Sequence, residues 1–157
     1  MSGRSFWSSG AWQYESVAMS WEFDLIDSVC EPADDDTNED GFGYTDALAW
    51  VIDGASPLST RRVAESADTD AEWIAKVLDE ALSGMHAADT PPVEALRTSI
   101  AAVEERSEEW TSVPEIPPSA AVGVIRAVGP DAIEYAILAD VTLAVKTADD
   151  IVVITDS

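Results

Sequence analysis

Apolar and polar positions follow a period of two at both ends of the chain and a helical period in the middle. From residue 20, Trp21, Phe23 and Leu25 alternate with Glu22, Asp24 and Ile26, which predicts a half-buried strand. A polar, acidic loop follows, containing Pro32 and the run Asp34-Asp35-Asp36. Two apolar stretches come next, 42–44 and 47–52, interrupted by Thr45-Asp46, and they predict an antiparallel hairpin. The turn lacks the Asn-Gly pair that most strongly marks such hairpins.

The middle of the chain changes period. Thr69-Asp70-Ala71-Glu72 has the spacing of a capping box, with a hydroxyl placed to accept from the first free amides. Trp73, Ile74, Val77, Leu78, Ala81 and Leu82 then form a helical stripe ending near Gly84. A second helix is expected from Thr90, with Pro91 in its first turn, where a missing N–H costs nothing. Val93, Leu96, Ile100 and Val103 are expected to line its inner face. Pro114, Pro117 and Pro118 break the chain, after which short strands are expected over 120–128, 132–139, 142–146 and 151–155. Strands, two helices and strands again make an α+β arrangement, antiparallel sheets with two helices on one face. Residues 1–18 show neither period and read as a tail, leaving 19–157 as the domain.

Composition narrows the function. The chain has 157 residues, with 8 Lys+Arg against 31 Asp+Glu and a formal charge of −23. Such a charge repels phosphate backbones and anionic lipid, so neither nucleic acid nor a membrane surface is an expected partner. No apolar run approaches the ~20 residues that span a bilayer. Cys30 is the single cysteine, which excludes an internal disulfide and goes with a cytoplasmic protein. Its acidic neighbours disfavour a reactive thiolate.

The chemistry is concentrated in residues 38–56. A hairpin turning at Asp46-Ala47 sets Asp40 opposite Asp53 and Glu39 opposite Gly54. Opposed Cβ atoms lie ~4.5–5.5 Å apart, and like charges so placed destabilise a sheet. Three carboxylates at one open end call either for a counter-ion or for solvent on an acidic surface. Oxygen-only ligands suit Mg²⁺ or Mn²⁺ better than Zn²⁺. Gly54, lacking a Cβ, leaves its carbonyl open to close approach.

These residues resemble a family. Asn38-Glu39-Asp40, an apolar strand and Val51-Ile52-Asp53-Gly54 are similar to the two opening motifs of the metal-dependent, type 2C protein serine/threonine phosphatases. Pro118-Ser119-Ala120-Ala121 and the stretch 135–145 around Asp140 are similar to the family's small-residue strand and its Gly-Asp-Ser-Arg hairpin, in the same order. The resemblance implies part of an αββα sandwich holding two Mn²⁺ or Mg²⁺ ions, truncated or degenerate relative to the family. Asp53 would bridge the metals, Glu39 and the Gly54 carbonyl would hold the second, and Asp40 would orient a water. Asp140 would help hold a weaker metal. The implied substrate is a phosphorylated protein; the alternative is a non-catalytic module that binds a protein partner, with association through exposed sheet edges. The family's phosphate-binding Arg has no counterpart between Ser5 and Thr60, which leaves Arg61 and Arg62 as candidates.

Overall fold

The computed structural model describes residues 27–28, 30, 38–55, 64–87, 89–112, 114, 116–129 and 132–155. The tail, the expected strand at 20–26 and Arg61 and Arg62 lie outside the described residues. The elements run β1 (Asp40–Tyr44), β2 (Leu48–Ala55), α1 (Asp70–Ser83), α2 (Pro92–Arg106), β3 (Ser119–Gly129), β4 (Ala132–Leu138), β5 (Thr142–Lys146) and β6 (Ile151–Thr155), with a short 3-10 turn, Ser107–Glu109, after α2. The fold is α+β, as the periods predict. Strands β1-β2-β3-β4 make one antiparallel sheet in that order, and β5-β6 make a separate two-stranded one.

The first hairpin has the register read from the sequence. Asp40 pairs with Asp53 and Tyr44 with Ala49, and the Gly54 N–H donates to the Glu39 carbonyl at 3.2 Å. In place of an Asn-Gly turn, the Thr45 hydroxyl accepts from the Ala47 and Leu48 amides at 3.2 and 3.1 Å. A Ser/Thr turn of this kind closes the loop with a side chain.

Alternation along β2 decides which face is covered. Leu48, Trp50 and Ile52 are buried, as are Val122 and Val124 on β3, and these side chains meet α1 through Ile74, Val77, Leu78 and Leu82. The Trp50 indole N–H reaches across to Asp79 of α1 at 2.8 Å. Its ring passes under β1 at Gly43, where an added Cβ would lie 2.7 Å from Trp50 Cε2. That glycine is required by the tryptophan.

Helix α1 begins as its capping residues predict. Thr69 is the N-cap, and its hydroxyl accepts from the Glu72 amide at 3.0 Å. The Glu72 carboxylate turns back to accept from the Asp68 amide at 2.6 Å. Helix α2 corrects the expected inner face. Pro92, Ala95 and Ser99 are its buried residues, with Leu96 and Val103 partly buried against the core. Val93 and Ile100 are exposed, at 48% and 39%. Small side chains at 95 and 99 let α2 approach its neighbours closely, and the Ser99 hydroxyl is satisfied by the Ala95 and Leu96 carbonyls, both at 3.0 Å. Trp110 then closes edge-on against Trp73, centroids 5.6 Å apart. Among the described residues, no helix is long and apolar enough to cross a membrane.

Candidate functional site

The other face of the four-stranded sheet carries the candidate chemistry. Because side chains alternate, Asp40, Phe42 and Tyr44 of β1 share this face with Ala49, Val51 and Asp53 of β2. Gly123 and Ile125 of β3 and Tyr135 and Ile137 of β4 continue it. A cavity of about 750 Å³ lies over it, walled by Phe42, Tyr44, Val51, Ile125, Ile137 and Leu143, with Asp27, Asp40 and Asp53 in its lining. Among the described residues no Lys, Arg or His lines it.

Asp53 sits at the acidic corner. Its pKa is pushed above the ordinary value of 3.8, first by partial desolvation, then by the charges of Asp40 and Asp140. A hydrogen bond with Asp40 and the charge of Glu39 act in the same direction. The cross-strand register accounts for Asp40 and Glu39, and the turn between β4 and β5 delivers Asp140. That turn is strained: Ala139 has φ 65°, a left-handed backbone unusual for a residue with a Cβ. Four of the residues singled out from the sequence, Glu39, Asp40, Asp53 and Asp140, are therefore electrostatic neighbours.

Gly54 has a second role. It is buried on the helix side, and an added Cβ would lie 2.7 Å from the Ala71 carbonyl oxygen and closer still to that of Glu39. The missing side chain is needed for β2 to pass between β1 and the start of α1, whatever the carbonyl binds. Asn38 organises the approach to β1: its side-chain oxygen accepts from the Asp40 amide at 3.1 Å, and its amide nitrogen donates to the Cys30 sulfur at 3.0 Å. His86 is exposed beyond α1, away from the corner.

Two contributors were not legible in the sequence. Asp27 lines the cavity although it lies well upstream of the hairpin, and no spacing signal marks it. Ala139 shapes the turn before Asp140, and a glycine there would have been the usual signal.

In kind, the donor set fits a hard divalent cation: oxygens only, from adjacent carboxylates whose repulsion is felt at Asp53. In position, no three Asp, Glu, His or Cys among the described residues are grouped as ligands of one ion. No protein-family model, curated protein or solved structure matches the chain.

Proposed function

We propose that this chain is a type 2C phosphatase-like domain whose acidic corner serves Mn²⁺- or Mg²⁺-dependent hydrolysis of a phosphorylated protein. The observation that supports it is that Asp40 and Asp53, paired across the hairpin, line a large cavity, with the charges of Asp140 and Glu39 also felt at Asp53. By the resemblance, Asp53, which faces Asp40 across the hairpin, would bridge the cations, and Glu39, the Gly54 carbonyl and Asp140 would be the remaining donors. Bound divalent cations would supply Lewis acidity toward a phosphoryl oxygen and would acidify water near neutral pH. Asp40, paired with Asp53 across the hairpin, would orient that water. The corner attracts no phosphate through its own side chains, so any affinity for a phosphoryl group depends on the cation reversing the local sign. A cytoplasmic location goes with this reading, given the lone Cys30.

A second reading, a non-catalytic module that binds a protein partner, is favoured by the lack of any Lys, Arg or His in the described lining. Turnover of p-nitrophenyl phosphate with Mn²⁺ separates the two. The phosphatase reading expects activity that falls at least a hundredfold in Asp53→Ala, on the order of the ~3 kcal/mol that one electrostatic contact contributes to a transition state. Equal rates in wild type and variant would remove it.

A further inference from the structure

The cavity over the open face of the four-stranded sheet changes character along its length. Its floor is three rows of side chains that the strand register sets side by side. In the first row Asp40 faces Asp53; the second holds Phe42, Val51 and Ile137; the third holds Tyr44 and Ile125. Of these rows only the first carries charge, and it lies at one end. From Asp40 to Tyr44 the floor runs four residues, about 14 Å at ~3.4 Å per residue. The side toward β5 is apolar as well. Leu143 lines the cavity, and Val141 sits over Gly123, 2.8 Å from where a Cβ there would lie.

At about 750 Å³ the cavity has the size of a small-molecule site, and such sites are mostly apolar with a few polar groups that fix orientation. Each simple kind of guest matches only half of it. An apolar molecule would leave the facing carboxylates desolvated without a counter-charge, and an anion would add to their repulsion. A bare metal ion would neutralise the carboxylates and leave the apolar rows to water. An ammonium group on an apolar body matches both ends at once, with N–H donors for the two carboxylates and hydrocarbon for the rows beyond. An extended chain advances ~3.3–3.6 Å for every three bonds, so a floor of about 14 Å takes roughly twelve bonds.

We propose that the cavity binds a small organic amine, its ammonium group between Asp40 and Asp53 and an unbranched apolar body lying along Phe42, Val51 and Ile125. Amine binding goes beyond the phosphatase-like reading and needs no metal at the corner. Where both hold, the amine and Mn²⁺ compete for the same carboxylates.

Decylamine, decanol and decanoate, each added to the full chain at neutral pH and followed by calorimetry and methyl NMR, test this. Expected is one equivalent of decylamine, bound at least about tenfold more tightly than decanol, the difference that one charge-assisted hydrogen bond makes. Decanoate should bind more weakly than either. The Val51, Ile125 and Leu143 methyl signals should shift, with Leu78 of α1 unmoved. Asp40→Asn/Asp53→Asn should bring decylamine down to the decanol level, and Val51→Ser should weaken both ligands. Equal binding of decylamine and decanol to wild type would overturn the proposal, and that comparison stands even if the double variant fails to fold. Binding of many equivalents, with Leu78 shifted too, would also overturn it, because the −23 of the surface alone would then attract the amine. So would a ligand-free dimer in which Val51 and Ile125 shift on dilution, since a second copy would then be the occupant. No arm measures phosphate turnover, so failure here leaves the phosphatase-like reading untouched.

Discussion

Two carboxylates of this chain are perturbed in opposite directions, and each direction has a local cause. Asp53 is raised, by partial desolvation and by three acidic neighbours. A carboxyl raised in the folded state stabilises the fold while protonated, and that contribution is lost as pH rises through the folded value. At neutral pH ionised Asp53 therefore works against the fold. In buffer with a chelator, Asp53→Asn should melt above wild type at neutral pH, and the gain should vanish below the ordinary value of 3.8. Thermal melts at both pH values check this, and a variant that melts lower at neutral pH would refute the crowding. Glu72 is the converse. Its pKa is lowered, chiefly by the hydrogen bond from Lys76 at 2.6 Å and also by the Asp68 amide. Its contribution is present above the ordinary 4.5 and is lost as pH falls through the folded value. Glu72→Gln should cost about 1 kcal/mol at neutral pH, the scale of a capping interaction, and nothing in acid. Denaturant titrations at the two pH values measure the difference.

Elements were legible wherever the signal was local. The register of β1 with β2 follows from where the turn falls, and the start of α1 from a hydroxyl three residues before a carboxylate. The face of α2 was not legible, because choosing the larger aliphatics Val93 and Ile100 assumes that bulk marks the inside. Here the close approach of α2 selects Ala95 and Ser99, both fully buried, and turns Val93 out to water. Two substitutions test that rotation. Ala95→Leu should destabilise by about 1–3 kcal/mol through overpacking, while Val93→Ser should stay within about 0.5 kcal/mol. Equal effects in urea unfolding would mean that the helix is rotated from the described face. The acidic corner was legible only in part, for a similar reason. Asp40 and Asp53 meet through one hairpin, but Asp140 arrives through a strained turn more than eighty residues further on. Sequence order could suggest that meeting only by resemblance.

At the scale of the molecule, the described residues place the acidic corner on one face of the four-stranded sheet and paired cations on the helix side. Lys76, Arg97, Arg106 and Arg126 are each paired with a Glu, at 2.6, 3.2, 2.6 and 2.6 Å, on the helices or on the strands that face them. The two pairs exposed on both sides, Arg97–Glu94 and Arg106–Glu80, contribute little. The excess of acids therefore remains as self-repulsion, which salt screens: the Debye length falls from ~30 Å at 0.01 M to ~3 Å at 1 M. The melting temperature should climb steadily with NaCl over that range. Screening depends on ionic strength, whereas a cation held at the corner adds a term that depends on its own concentration and affinity. At matched ionic strength Mn²⁺ should therefore raise the wild-type melting temperature above the NaCl value, and Asp53→Asn should remove that excess while keeping the NaCl response. If Mn²⁺ and NaCl act alike on wild type once ionic strength is matched, the −23 is a solvated surface charge throughout and the corner holds no ion.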